Sequence, residues 1–153
     1  MTIERIYISP ARGDTSQACA QVEVVAGKGI IGDRYFDRHD EPGQNITLIE
    51  AEELEAFCAE FGLPCDLSTS YRNLVTRGVR LNGLVGQEFR IGNVRLRGIE
   101  LCEPCRTLSK RMATASLSPA AIVKRLTHRA GLRADVLSSG RIERGAPLIM
   151  QVL

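Results

Sequence analysis

The chain has 153 residues, a length that suits one domain with its own hydrophobic core. Apolar residues make up 44% and charged residues 25%, which is typical of a soluble globular protein. The net charge of +2 and the aromatic content of 5% are too low to indicate a nucleic-acid-binding surface. The first residues lack a signal-peptide pattern, and no apolar run nears the roughly 20 residues of a membrane helix. These features predict a cytoplasmic protein with neither nucleic-acid nor membrane partners.

The first part of the chain predicts three strands and one helix. Residues 3–9, 20–26 and 45–49 carry the β-branched, alternating pattern of strands. Residues 50–61 place four apolar side chains at helical spacing, and a glycine and a proline follow, so they predict an amphipathic helix. Cys58 lies on the apolar stripe of this helix and is predicted to pack in the core. His39, in a polar stretch, is predicted to be a solvated surface residue.

Three glycines lie between positions 27 and 32, directly before Asp33 and Arg34. Glycines at this density let the backbone turn through positive φ. Their spacing differs from that of a dinucleotide-binding fingerprint and from that of a P-loop. Asp33 and Arg34 are either a structural turn pair or a pair of site residues, and the usual roles of Gly and Asp in turns favour the structural interpretation.

The middle of the chain leads to a pair of cysteines. Apolar and polar side chains alternate over residues 71–75, 79–89 and 91–101 as they do in strands. Cys102 and Cys105 therefore lie at the end of a predicted strand. Basic residues surround this pair in the sequence: Arg106, Lys110 and Arg111.

The last third predicts one short helix and two further strands. Residues 107–117 fit neither pattern, whereas Ser118 followed by Pro119 is typical of a helix start. Residues 134–137 and 147–153 read as strands, with turns between them at positions 139–140 and 144–145. About eight or nine short strands against two or three helices predict a mainly β (α+β) barrel, formed as one domain over residues 1–153.

Five cysteines without disulfide-scaffold spacing indicate reduced thiols. Four interpretations of Cys102 and Cys105 stay open: packing, a redox dithiol, a zinc site, or a single working thiolate. In the last of these, basic neighbours lower the thiol pKa so that it can bind a soft metal or carry sulfur. Arg72, Arg106 and Arg133 would then hold an anionic ligand by bidentate contacts.

A series of motifs along the chain resembles the MOSC domain, which is named for the C-terminal part of molybdenum cofactor sulfurases. The motifs run in order over residues 3–149, so the chain is similar to a free-standing MOSC protein. They are Gly29-Ile30-x-Gly32-Asp33-Arg34, Arg72-Asn73-Leu74, Leu84-Val85-Gly86-x-x-Phe89-x-Ile91-Gly92, Pro104-Cys105 and Gly131-Leu132-x-Ala134-x-Val136-Leu137.

This resemblance implies a MOSC-type β-barrel with a few peripheral helices and a site built around one cysteine. Family members bind the molybdenum cofactor (molybdopterin), with that cysteine as the metal ligand, or are proposed to carry sulfur on it as a persulfide. Cys105 falls on the family's cysteine. The residues that match or lie near the family's cofactor-binding positions are Arg72, Asn73, Arg34 and Arg12, and Arg133 is a further candidate.

Three functions are considered, and the resemblance implies two of them. One is a cofactor-dependent reductase of N-hydroxylated compounds, and another is a sulfur carrier between a donor and an acceptor protein. The third is of another class: a non-catalytic module in which the cysteines pack and the arginines bind an anion or a partner. Cys102 stands where many relatives carry arginine, and it could resolve a persulfide on Cys105 by forming a disulfide. The desulfurase-like module of eukaryotic sulfurases is not matched, so no pyridoxal phosphate is expected on this chain.

Overall fold

The computed structural model describes residues 1–13, 15–38 and 40–151, and the predicted surface position of His39 lies outside this range. Within these residues the chain forms eleven strands and three helices, which confirms the mixed, mainly β fold class. The strands are β1 Thr2–Ile8, β2 Gln17–Cys19, β3 Gln21–Val25, β4 Gly29–Ile30, β5 Ile46–Glu50, β6 Leu74–Arg77, β7 Glu88–Ile91, β8 Val94–Leu101, β9 Leu132–Val136, β10 Gly140–Glu143 and β11 Leu148–Met150. The helices are α1 Ala51–Phe61, α2 Arg106–Met112 and α3 Pro119–Leu126.

Eight of these strands form one sheet in the order β11-β7-β8-β9-β5-β6-β1-β2. All neighbours in it are antiparallel except β5 and β6. Parallel strands need a crossover connection, and α1 supplies it between β5 and β6. A smaller antiparallel sheet has the order β10-β3-β4.

The large sheet curls until β1, the strand next to the edge strand β2, meets the segment that leads into β11. The Ile3 N–H donates to the Ala146 carbonyl at 3.0 Å, and the Gly145 N–H donates to the Ile3 carbonyl at 2.7 Å. The Leu148 N–H also donates to the Met1 carbonyl, at 3.0 Å. These bonds join β1 to the segment that leads into β11, so the architecture is barrel-like.

Alternating side chains of the strands fill the interior of the curled sheet. In β9 the residues at positions 132, 134 and 136 are buried, while those between them are partly exposed. Fully buried leucines, isoleucines and Phe89 from both halves of the sheet form the main cluster. Two smaller clusters lie under the helices, and Cys58 is buried in one of them beside Phe57 and Ile122, as predicted.

Helix α1 begins and ends where local sequence signals place its limits. Glu52 and Glu53 in its first turn stabilise the positive end of the helix dipole. Gly62 ends the helix in the left-handed conformation, and its N–H donates to the Cys58 carbonyl. The predicted helix over residues 50–61 is therefore confirmed to within one residue. The longest described helix has 11 residues, and no helix in the described part of the chain is long and apolar enough to cross a membrane.

Two parts of the secondary structure differ from the sequence prediction. The prediction of a strand over residues 79–89 is wrong, because Leu81–Leu84 forms a 3₁₀ turn and β7 begins only at Glu88. Leu81 and Leu84 are both buried, and a spacing of three residues brings both to one face of such a turn. The prediction also omitted the short strands β2, β4 and β10, and it left undecided the segment in which α2 forms.

Candidate functional site

A cleft of about 520 Å³ gathers residues from distant parts of the chain. One wall comes from the segments 34–38 and 41–47, which lead into and include the start of β5, together with Arg12. The other comes from residues 70–72, which precede β6, and from residues 102–111, which follow β8 and include most of α2. Arg133 of β9 completes the lining. Six of the eight candidate residues named from the sequence lie here: Arg12, Arg34, Arg72, Cys102, Cys105 and Arg133. Asn73 and Arg106 are not among the described residues of the lining.

The cleft is strongly cationic. Among the described residues, six arginines line it, at positions 12, 34, 38, 72, 111 and 133, against the two carboxylates of Glu41 and Glu103. Glu103 is already engaged, because both of its oxygens accept the His128 N–H and one lies 3.0 Å from His128 Nδ1. Guanidinium groups match carboxylate and phosphate geometry, so the cleft suits an anionic ligand.

Three buried polar atoms in this lining have no hydrogen-bond partner within the described structure. They are Nη1 of Arg34, Nη2 of Arg72 and Oε1 of Gln44. An unpaired buried donor or acceptor costs about 1–3 kcal/mol, and more where the group is charged. Three such atoms in one cleft leave two donors and one acceptor free for a ligand or for water.

Arg72 is held in place by the loop that precedes β9. Its Nε donates to the Ala130 carbonyl at 3.0 Å, and its backbone N–H donates to Ser70 Oγ at 3.3 Å. Gly131 lets this loop approach β5, because its φ is +106° and a Cβ there would lie 1.9 Å from the Leu48 carbonyl oxygen. The contact fixes one edge of the guanidinium and leaves Nη2 for a ligand.

Cys105 is the N-cap residue of α2, where its Sγ accepts the Leu108 N–H at 3.4 Å. Burial raises the pKa of the Cys105 thiol, but the N–H groups of Leu108 and Thr107 and the charge of Arg72 outweigh it. The net effect lowers the pKa below that of an ordinary cysteine, so the thiolate is favoured. The residue itself is exposed to the cleft.

Cys102 lines the same cleft but is 4% exposed, and its N–H donates to the Gly131 carbonyl at 2.8 Å. Both thiols are free. The two cysteines therefore differ in kind: Cys105 is an accessible thiol with a lowered pKa, whereas Cys102 is a buried thiol in the wall behind it.

Asn73 does not line the cleft, although the resemblance associates its position with cofactor binding. Its Oδ1 accepts the Thr47 N–H and hydroxyl, both at 3.1 Å. Its Nδ2 donates to the Tyr7 carbonyl at 3.2 Å and to Asp33 Oδ1 at 3.4 Å. All four hydrogen-bonding positions of the amide are thus used inside the protein, and Asn73 joins three segments that support the cleft.

Asp33 and Arg34 divide the two roles that the sequence left open. Asp33 is buried and structural, because its carboxylate accepts the backbone N–H groups of Ser9 at 2.9 Å and Tyr35 at 3.3 Å. These bonds fix the turn that presents Arg34 to the cleft, where its guanidinium carbon lies 4.9 Å from the centre of the Tyr35 ring. The Gly-Asp-Arg motif therefore contains one structural residue and one residue of the site.

Several further residues of the lining could not be assigned to the site from the sequence, among them Tyr71, Arg111 and Gln44. Tyr71 has a φ of +58°, and the Arg111 guanidinium stacks 3.8 Å from the centre of its ring. Arg111 was noted only as a basic neighbour of the cysteines. Gln44 was not considered at all, since a single glutamine beside a predicted strand carries no recognisable signal.

The fold and the site together define a barrel-like α+β domain with a cationic cleft around an exposed thiol whose pKa is lowered. The sequence profile of the MOSC domain matches residues 36–149, which is most of the chain. The chain belongs to the MOSC domain family, as the motif series predicted.

Solved structures are similar over nearly the whole chain. The YuaD protein of Bacillus subtilis is 17% identical with a TM-score of 0.85, over 99% of this chain and 96% of that one. YiiM of Geobacillus stearothermophilus is 19% identical with a TM-score of 0.74, over 99% of this chain and 75% of that one. YiiM of Escherichia coli is 18% identical with a TM-score of 0.69, over 100% of this chain and 71% of that one. At these identities the likeness shows the fold alone, and no protein of curated function matches the sequence.

Proposed function

We propose that the cleft binds the molybdenum cofactor, with the Cys105 thiolate as a ligand to the metal and the arginines holding the anionic part of the pterin. MOSC domains are associated with this cofactor. The observation that carries the proposal is that two buried guanidinium nitrogens without partners, on Arg34 and Arg72, line the same cleft as a thiol whose pKa is lowered.

The residues present fit such a group chemically. A thiolate is a soft donor that suits molybdenum, and unpaired guanidinium N–H groups suit a phosphate. When bound, the cofactor would supply two-electron redox chemistry. The chain's own part is to lower the pKa of the Cys105 thiol, to orient Arg72 through its bond to Ala130, and to neutralise negative charge. By resemblance to family members, we propose N-hydroxylated compounds as the substrate class of a reductase.

The test is the metal and pterin content of the protein purified from a host that makes the cofactor. We expect near-stoichiometric molybdenum and pterin in the wild type. Cys105→Ser should lose most of the molybdenum, because the metal loses its protein ligand. Arg72→Gln should lower both contents about tenfold, since one charge-assisted contact is worth about 1.5–3 kcal/mol.

Two control variants show whether the effects belong to the cleft. Cys65→Ser removes an exposed thiol outside the lining, and Arg80→Gln removes an arginine whose side chain is 90% exposed. Both should retain the wild-type content. Equal metal content in the wild type, Cys105→Ser and Arg72→Gln would refute the proposal.

A second candidate function is sulfur transfer, and the buried Cys102 thiol in the same cleft favours it. Cys105 would carry a persulfide received from a sulfur donor protein. The Cys102 thiolate would attack Cys105 Sγ, form the Cys102–Cys105 disulfide and release the outer sulfur as hydrosulfide to an acceptor. This step needs no further oxidant or reductant, because the outer sulfur of the persulfide is reduced to hydrosulfide while the Cys102 thiolate is oxidised to the disulfide. A thiol reductant would then reduce the disulfide before Cys105 is loaded again.

This candidate is tested by loading the protein with polysulfide and following each cysteine by mass spectrometry. A persulfide should appear on Cys105 and decay as the disulfide forms. In Cys102→Ser it should persist at least tenfold longer. The carrier function is contradicted if the persulfide on Cys105 decays at the same rate in both proteins.

A further inference from the structure

Gln44 contributes an acceptor to a cleft that otherwise offers mainly donors. Its Oε1 is buried and has no partner among the described atoms. Guanidinium groups only donate hydrogen bonds, and six of them line the cleft. The unpaired atoms of the lining are thus two arginine donors and one glutamine acceptor, and a plain anion can satisfy only the donors.

The orientation of the Gln44 amide follows from its neighbour. Its Nε2 donates to Glu41 Oε1 at 3.5 Å, a long contact in which the carboxylate can only accept. The flipped amide would face that carboxylate with its own oxygen, so the observed orientation is the favourable one. Oε1 therefore points away from Glu41. The terminal torsion of a glutamine is soft, and a small rotation brings Oε1 to a ligand.

The backbone on both sides of Gln44 is anchored to β9 and its surroundings. The Gly43 N–H donates to Asp135 Oδ1 at 2.8 Å, and the Val136 N–H donates to Asn45 Oδ1 at 3.0 Å. Gly43 has a φ of +86°, and a Cβ there would lie 3.1 Å from the Arg133 Cβ. The close approach places Gly43, the residue before Gln44, against Arg133 of the cleft. The backbone that carries the Gln44 side chain is therefore anchored on both sides.

Two hydroxyls of the lining are committed elsewhere. The Thr47 hydroxyl, in the same wall as Gln44, donates to Asn73 Oδ1 and accepts the Asn73 N–H. Ser70 Oγ, in the opposite wall, accepts the Arg72 N–H. The Glu41 carboxylate is exposed, so Gln44 Oε1 is the buried side-chain acceptor without a partner among the described atoms of this lining.

We propose that Gln44 is a specificity residue whose Oε1 accepts a hydrogen bond from a donor on the ligand. The cleft then selects an anion that also carries an N–H group, such as an amino- or amide-bearing heterocycle, over a plain phosphate or carboxylate. This inference rests on the proposed function and adds to it the residue that distinguishes one anionic ligand from another.

Two small probes of similar shape and charge test the proposal. Pterin-6-carboxylate has a carboxylate and ring N–H donors, whereas quinoxaline-2-carboxylate has a carboxylate on a similar bicycle without N–H donors. Dissociation constants of both are measured by calorimetric titration of the full chain. The wild type should bind the pterin about tenfold more tightly, and Gln44→Met should lose this preference without weakening the binding of the quinoxaline.

Further variants keep the result interpretable. Gln44→Glu retains an acceptor oxygen, so it should bind both probes more weakly yet keep the preference. Gln87→Met makes the same change at an exposed position outside the cleft and should behave as the wild type. Urea denaturation of each variant shows that it is folded, and Gln44→Leu replaces Gln44→Met if that variant is not.

The outcomes separate this inference from the proposed function. Preference for the pterin in Gln44→Met, or equal binding of both probes by the wild type, overturns the role of Gln44 alone. Failure of the wild type to bind either probe, with Arg72→Gln no different, overturns anion binding in the cleft and this inference with it.

Discussion

Gly131→Ala should be among the most damaging substitutions of a single small residue in this domain. The residue has a φ of +106°, where side chains are strained. The new Cβ would also lie 1.9 Å from the Leu48 carbonyl oxygen and 3.0 Å from its carbon, both of them backbone atoms of β5. No flexible side chain can move aside, so the loop or the strand must shift.

The magnitude follows from two separate costs. A side chain in the left-handed region costs about 1–2 kcal/mol. Overpacking against a buried strand adds about 1–3 kcal/mol. We therefore expect the free energy of unfolding to fall by roughly 2–5 kcal/mol, a large part of the about 5–15 kcal/mol that stabilises a typical domain.

Urea denaturation measures this change, and two other glycines separate its causes. Gly62 has a φ of +64° with nothing within 4 Å of a built Cβ, so Gly62→Ala shows the conformational cost alone. Gly83 has no positive φ and equally open surroundings, so Gly83→Ala should change stability by less than about 0.5 kcal/mol. The slope of the transition should be unchanged in all three variants.

The reasoning is refuted if Gly131→Ala is no less stable than Gly62→Ala. A second readout links the loop to the site. Because the Ala130 carbonyl holds Arg72, the shift should also weaken the binding of anionic probes. Gly62→Ala and Gly83→Ala should leave that binding as in the wild type.

Three further predictions concern the site and its supports. The alkylation rate of Cys105 should rise with a midpoint pH below that of an ordinary cysteine, and Arg72→Gln should raise this midpoint; an unmoved midpoint in peptide-resolved mass spectrometry contradicts the assigned cause. Burial raises the pKa of Glu50 in the folded protein, so ionisation of this carboxyl opposes folding. The stability that protonated Glu50 provides is present below the pKa that Glu50 has in the unfolded chain, and it is lost as pH rises through its pKa in the folded protein. Glu50→Gln should therefore stabilise the domain at pH 8 and leave its stability nearly unchanged at pH 4. If the unfolding free energies of the variant and the wild type differ by the same amount at both pH values, this reasoning is contradicted. Asn73→Asp replaces the buried donor nitrogen by an oxygen facing Tyr7 and Asp33, and the unfolding free energy should fall by roughly 2–4 kcal/mol; a loss below 1 kcal/mol would show that Asn73 is not the structural link described.

Elements with strong local signals were predictable from the sequence. Helix α1 has an apolar stripe and a glycine that caps it, and both operate within one or two turns of the chain. Helix α3 likewise begins at Ser118, whose Oγ accepts the Ala121 N–H, with Pro119 directly after it. For such elements the residues that decide the structure are neighbours in the sequence.

The missed elements depend on partners far along the chain. β10 has a single buried residue, Ile142, and exists because it pairs with β3 more than 100 residues earlier. β2 is a short edge strand without a buried side chain. The segment 79–89 alternates like a strand, but burial of both Leu81 and Leu84 favours a tight turn. Periodicity alone cannot distinguish these cases.

The site shows the same division. Cys105 and Arg72 could be predicted, because motifs resembling a known family include them. Gln44 could not, since its role comes from anchors on either side of it and from burial of one oxygen. The proximity of Cys58 and Cys65 also had no signal in the sequence. Burial and the neighbouring Cys65 thiol raise the pKa of Cys58 to about 11.

Strand β9 lies between β8 and β5 and is the paired strand that joins the two halves of the large sheet. During synthesis it leaves the ribosome after α3, when most of the chain has already been made. Until then β5 and β8 lack their shared neighbour, and Arg72 lacks the Ala130 carbonyl that orients it. The arrangement of Arg72 in the cleft is therefore completed only after β9 has been made and has joined the sheet.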